Sequence, residues 1–241
     1  MDTSTTRRSD TRHPHLRRSA LLALTTALLV ACAQPALQGP PDASGLVAIE
    51  HSGLDAARIA PDADLSQYQN LLIDGLHFTD VKLVDPGKGQ RSRYRPLSLS
   101  DADKQLLNRL FVEQVSKSLN RSGAYGVATQ PGAGTLRVVT ELVELAPNAP
   151  RESDQQFGAS VRNDTYSRGA GSMTLESTVS DSVSGRTLAV LRNELTDAEV
   201  WGVNNSVTNQ AAVQRAFTRW GSTLQRLKAA RPGALAPAAA Q

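Results

Sequence analysis

Two runs, Ser172-Met173-Thr174-Leu175-Glu176-Ser177-Thr178-Val179-Ser180-Asp181 and Arg186-Thr187-Leu188-Ala189-Val190-Leu191-Arg192-Asn193-Glu194-Leu195, joined by Ser182-Val183-Ser184-Gly185, decide the fold. Met173, Leu175 and Val179 fall on one side of a period-two pattern, which is the signature of a half-buried strand. A four-residue connection ending in glycine, the residue that accepts positive φ, makes the two strands antiparallel neighbours. Downstream, Val213, Phe217, Trp220, Leu224 and Leu227 advance by 4, 3, 4 and 3, a single apolar stripe on a helix over about 206–229 that suits it to lie on a sheet. Upstream, Leu106, Leu107, Leu110, Phe111, Val115 and Leu119 repeat at helical steps behind the N-cap sequence Ser100-Asp101-Ala102-Asp103 and ahead of Ser122-Gly123. The β-branched run over 135–145 predicts a strand, and so does the apolar run over 68–78. The order β-α-β-β-β-α predicts an α+β domain, a mostly antiparallel sheet with helices packed on one face.

The chain around these elements has 241 residues, 40% of them hydrophobic and 20% charged, with one cysteine. One cysteine excludes a disulfide scaffold, and a mean hydropathy of −0.30 excludes a polytopic membrane protein. The net charge of +3 is misleading as a whole-chain figure. Five arginines against two aspartates in residues 1–31 account for all of it, so the rest is neutral and nucleic acid is not an expected partner. That segment reads as a secretory leader, an Arg-rich start followed by the apolar run 20–31. Twelve residues rise only about 18 Å as a helix, against a hydrocarbon core of about 30 Å.

Leu29-Val30-Ala31-Cys32, which closes the leader, resembles the lipobox of bacterial lipoproteins. The resemblance implies cleavage before Cys32 and a thioether-linked diacylglycerol on its thiol, completed by an amide-linked acyl chain such as palmitate. No other cofactor is expected. Ala33 stands where such families commonly place an aspartate to retain a lipoprotein in the inner membrane. The expected location is therefore the outer membrane, with the domain on the periplasmic side.

Residues 32–67 are rich in Pro, Ala and Gly and read as a lipidated tether. The single α+β domain is expected over 68–229 and a disordered tail over 230–241. The polar stretch 146–168 is long for an internal loop, a length usual for functional or mobile segments.

Several segments carry a further resemblance. They are Tyr68 before its apolar run, Pro131-Gly132-Ala133-Gly134-Thr135-Leu136 entering a strand, and Glu176 followed by Asp181-Ser182-Val183-Ser184-Gly185-Arg186-Thr187-Leu188-Ala189. With the lipobox and tether they make the chain similar to a family of bacterial lipoproteins known only as a domain of unknown function. That family implies an envelope lipoprotein and supplies no catalytic residues.

The chemistry-bearing residues are sparse. The mature chain has two histidines, His51 and His77, with neither metal-ligand spacing nor a Gly-x-Ser-x-Gly elbow, so no catalytic or metal residue is expected. Gly87-Lys88-Gly89-Gln90 lacks the Walker spacing. Arg91, Arg93 and Arg95, with Tyr94 between, form a candidate patch for an anionic partner. Glu176, Asp181, Asp197 and Glu199 surround one hairpin and read as charges on a wet sheet face. Trp201 lies just past the last strand.

The expected function is non-enzymatic: a lipid-anchored protein that binds an envelope protein or a cell-wall component. Two alternatives are an envelope hydrolase acting on glycan, peptide or lipid, and an accessory subunit of an envelope assembly or export complex.

Overall fold

The computed structural model describes residues 36–50, 52–84, 97–148, 166–168, 170–197, 201–203 and 206–229. In chain order the elements are β1 (Ala36–Gln38), β2 (Val47–Glu50), β3 (Ala56–Ile59), β4 (Asn70–His77), β5 (Lys82–Leu83), α1 (Asp101–Ser122), β6 (Gly126–Ala128), β7 (Thr135–Pro147), β8 (Tyr166–Arg168), β9 (Gly171–Asp181), β10 (Thr187–Thr196), β11 (Trp201–Val203) and α2 (Ser206–Arg226). Short 3-10 turns at Leu65–Gln67 and Leu227–Ala229 complete the set.

The α+β class holds, with α1 and α2 as the helices. The sheet, however, is mixed rather than mostly antiparallel, and it has more strands than the sequence order allowed. Among the described residues it is nine-stranded, with a main path β1-β2-β3-β10-β9-β7-β4-β6 and β5 beside β7. The pairs from β1 through to β7 are antiparallel, whereas β4 runs parallel to both β6 and β7, and β5 parallel to β7. The cause is α1. It carries the chain from the end of β4 back to the level of its start, the crossover that parallel pairing requires. A separate two-stranded sheet pairs β8 with β11.

The tether expected over 32–67 is corrected as well. Residues within it form β1, β2, β3 and a 3-10 turn, and Leu46, Ile59 and Leu65 are core residues. The Pro and Gly residues that looked like flexible spacers punctuate short strands. Asp42 nucleates one of these turns, accepting from Ser44 N at 2.8 Å and Leu46 N at 3.1 Å, while its other oxygen meets Arg58 Nη1 at 2.9 Å. These contacts, the Leu46 amide first, hold the Asp42 carboxyl below its ordinary pKa. The leader, Cys32 and the 230–241 tail lie outside the described residues.

Helix α1 starts on a capping box in which Ser100 Oγ accepts from Asp103 N and Asp103 reaches back to Ser100 N, and it ends on left-handed Gly123. Its buried side is Leu110, Phe111, Val115, Ser118 and Leu119, with Leu106 exposed at the helix edge. Phe111 meets Phe217 of α2 edge-on, ring centroids 5.3 Å apart at 89°. Ser118 lies against Gly221, where a Cβ would stand 2.7 Å from Ser118 Cβ, so small residues set the close approach of the helices.

The helices cover one face of the sheet. There the fully buried Trp220 donates from Nε1 to Ser177 Oγ at 3.1 Å, and Ser177 lies 2.6 Å from Thr140 Oγ1, its cross-strand partner. This bond satisfies the indole N–H inside an apolar core and pins α2 over β7 and β9. The opposite face carries cross-strand ion pairs: Arg137 with Asp74, Arg192 with Glu176 at 3.3 Å, and Lys82 with Glu144 at 2.7 Å.

Candidate functional site

The hairpin end of the sheet gathers the segments that carried the family resemblance. Asp181 Oδ1 accepts from Val183 N at 3.1 Å, Ser184 N at 2.7 Å and Ser184 Oγ at 2.9 Å, while Oδ2 accepts from Tyr68 Oη at 3.0 Å. Ser182 Oγ accepts from Gly132 N and donates to Gly132 O, both at 3.0 Å. Gly134 O takes the amides of Gln69 at 2.9 Å and Asn70 at 3.2 Å, and Arg186 pairs with Asp62. The Ser184 amide, with the other donors, holds the Asp181 carboxyl below its ordinary pKa. Burial, helped by Asp181, pushes the Tyr68 phenol up to about 12. Every one of these polar groups serves another, and the result is a locked turn.

The opposite end holds a cleft of about 550 Å³. Gly53 and Leu54 of the β2–β3 turn form one lip, Asn193 to Thr196 at the end of β10 the floor, and Arg219, Ser222, Gln225 and Arg226 of α2 the far wall. The lip is tied to the floor reciprocally. Asp55 N donates to Asn193 Oδ1 at 3.1 Å, and Glu194 N donates to Asp55 Oδ2 at 2.7 Å. On the wall, positions 219, 222 and 226 share one side of α2, as the i, i+3, i+7 spacing requires. Arg219 Nη2 donates to Thr196 O at 2.6 Å and Arg226 Nη2 to Thr223 Oγ1 at 3.1 Å, so each guanidinium is aimed by one bond and keeps further N–H donors. Gln225 Nε2 is held by Ser118 O at 2.7 Å, which leaves the amide oxygen as an acceptor. The lining thus sets the two guanidiniums, one carboxylate at Glu194, and amide and hydroxyl groups beside the apolar side chains of Leu54 and Leu195. This set is suited to a small polar ligand bearing negative charge.

None of the residues singled out for a role in the sequence falls in this cleft. Cys32, with Leu29, Val30 and Ala31, and the patch Arg91, Arg93 and Arg95 lie outside the described residues, as do His51 and Glu199. His77 is exposed on β4, with Nε2 3.1 Å from Asp74 O. The acidic residues grouped around one hairpin are split by the structure. Asp181 locks the turn, Glu176 pairs with Arg192 in mid-strand, and Asp197, at the cleft end, accepts from Arg215 at 2.7 Å and Ala170 N at 3.1 Å. Among the described residues, no three His, Cys, Asp or Glu side chains cluster to hold a metal, and no helix is long and apolar enough to cross a membrane. The cleft arginines escaped the sequence reading because they lie on the polar side of α2, where basic residues are ordinary. The signal that marks them is their repeat at 215, 219 and 226 along one stripe.

Comparison with known proteins adds the following. A family model described as "Protein of unknown function (DUF3313)" matches residues 51–224. No curated protein matches the chain. Among solved structures, similarity is found to protein XCC0632 from Xanthomonas campestris, of the DUF330 family, at 13% identity, covering 79% of this chain and 90% of that one with a TM-score of 0.40. A PelC dodecamer from Paraburkholderia phytofirmans matches at 9% identity, 70% and 96% coverage and a TM-score of 0.34. A candidate lipoprotein from Caulobacter crescentus matches at 13% identity, 70% and 92% coverage and a TM-score of 0.33. The family match runs from the β2–β3 turn nearly to the end of α2, so the chain belongs to the DUF3313 family of proteins of unknown function.

Proposed function

We propose that this protein is a bacterial lipoprotein anchored in the outer membrane through acylated Cys32, with its domain facing the periplasm and acting by binding rather than by catalysis. Leu29-Val30-Ala31-Cys32 at the end of a basic and apolar leader supports the anchor. The observation that carries the binding role is the cleft. Its wall supplies guanidinium, amide and hydroxyl groups, the equipment for recognising a polar partner.

Two measurements test the reading. The intact mass of protein purified from the envelope should correspond to a chain starting at Cys32 plus its acyl groups, and Cys32→Ser should move the protein to the soluble fraction. A retained leader, or a Cys32→Ser protein that still fractionates with membranes, would overturn the anchor. Turnover of an ester or glycan substrate by the pure mature protein, abolished in Glu194→Gln, would overturn the binding role.

A further inference from the structure

We propose that the cleft faces the bilayer and that Arg219 and Arg226 engage the phosphates of lipid headgroups. This rests on the lipid-anchor reading above and adds an orientation and a ligand to it.

The argument starts from chain connectivity. Strand β1 pairs antiparallel with β2, and Ala36 stands opposite Glu50, the last residue of β2. The next residues form the β2–β3 turn, whose Gly53 and Leu54 are the lip of the cleft. The described chain therefore enters the sheet at the cleft end. The register of β3 on β10, with Ala56 opposite Arg192, and of β10 on β9, with Thr187 opposite Ser180, puts the Asp181 turn at the other end. From Cys32 to Ala36 there are four peptide steps, which at full extension span at most about 14 Å. A headgroup layer occupies about 5–8 Å of each leaflet, so a domain held on this leash rests on the membrane surface. The short leash also replaces the long spacer that the composition of 32–67 suggested.

The chemistry at that end fits such a surface. Two guanidiniums line the cleft, with the Glu194 carboxylate in the lining and the Asp55 carboxylate bonded to Glu194 N at its edge, and planar guanidinium is the side chain that binds phosphate in bidentate fashion. Ser222 lies between them along α2, and Gln225 beside them offers its amide oxygen to a headgroup ammonium or hydroxyl. Near an anionic surface each basic side chain strengthens attachment about fivefold, and the effect decays within a Debye length of about 8 Å, well inside the reach of the leash.

The test uses the lipidated mature protein reconstituted in vesicles of phosphatidylethanolamine and phosphatidylglycerol carrying headgroup spin-labelled lipid. Cys32 is the chain's one cysteine and is blocked by acylation, so Ser52→Cys beside the cleft and Val183→Cys at the hairpin tip, 70% exposed, each accept a single fluorophore. The label at position 52 should be quenched strongly and the one at 183 weakly. Arg219→Gln with Arg226→Gln should leave vesicle flotation intact while lowering the quenching at position 52.

Protein that lacks the acyl mass, or fails to float with the vesicles, would defeat the anchor reading itself. Floating protein whose position 183 is quenched as much as position 52 would overturn the orientation. An unchanged position-52 signal in the double arginine variant, or equal quenching on vesicles of phosphatidylglycerol whether or not inorganic phosphate occupies the cleft, would overturn phosphate recognition.

Discussion

At the hairpin end of the sheet, Asp181, Ser182, Ser184 and Tyr68 are consumed by one another and by backbone amides of the 131–134 segment. At the far end, Arg219 and Arg226 each spend one bond on the protein and Gln225 two, both from Nε2 to Ser118, and what remains is presented to a cleft. The two ends use similar residue types for opposite purposes. Where donors and acceptors close on themselves, the product is rigidity. Where they are aimed but not exhausted, the product is a place for a ligand. Tyr68, the 131–136 segment and the 181–186 turn, which carried part of the family resemblance, lie at the closed end, while the binding chemistry lies at the other.

The strongest way to break this division is to show that the open end is structurally dispensable, and Gly171 tests that. It sits at φ +118°, and an added Cβ would overlap the carbonyl oxygen of Ala146 and lie 2.6 Å from Pro147 Cα, both backbone atoms unable to move aside cheaply. Its carbonyl accepts from Asp197 N at 3.0 Å, joining the ends of β9 and β10. Gly171→Ala should cost about 3 kcal/mol or more in urea unfolding. A cost near zero would mean that the cleft floor has no fixed backbone.

The closed end should give the next largest effect. Asp181→Ala removes the acceptor for three turn donors and for the buried Tyr68 hydroxyl, and should destabilise by about 2 kcal/mol. The pH dependence follows from the direction of the shift. The folded-state pKa of Asp181 lies below the ordinary value of 3.8, so its contribution is complete above that value and is lost as the pH falls through the folded pKa. Stability should therefore decline below about pH 4, and Asp181→Asn should flatten part of the decline. Asp42 and Asp62, lowered in the same direction, contribute with the same sign. An Asp181→Asn protein with an unchanged acid profile would show that the turn does not depend on the carboxylate.

What could be read in the sequence follows the same division. The β9–β10 hairpin, the capped start of α1 and the Val213-to-Leu227 stripe were legible because each is a local pattern written over ten or more residues. Strands β1, β2 and β3 were not, since three or four residues are too few to establish a period and their turns share the composition of a linker. The parallel pairing of β4 with β7 was hidden for a different reason. It is a relation between segments more than sixty positions apart, implied only by the helix between them. The cleft was hidden most completely, because Leu54, Asn193 and Arg226 converge from three elements and none carries a local mark of the others.

Gly185 offers a finer comparison with Gly171. It has φ +72° in the β9–β10 turn but nothing within 4 Å of an added Cβ, so only the backbone preference opposes substitution. Gly185→Ala should cost about 1 kcal/mol, visible as a small drop in the urea midpoint with an unchanged slope. A cost equal to that at Gly171 would show that the turn, too, is crowded, and the two ends would differ less than the hydrogen bonds suggest.

The smallest expected effect on stability is the most informative about function. Arg219 and Arg226, both exposed, make one bond each to Thr196 O and Thr223 Oγ1, and side-chain bonds from exposed groups of this kind change stability by less than about 0.5 kcal/mol when removed. Arg226→Gln should therefore unfold at nearly the wild-type urea concentration. The same substitution at a closed-end residue would not be silent, because every donor there has a partner that would be left unsatisfied. A large loss of stability in Arg226→Gln would place the arginine among the residues that hold the fold together. A silent substitution would leave its guanidinium to be explained by what enters the cleft.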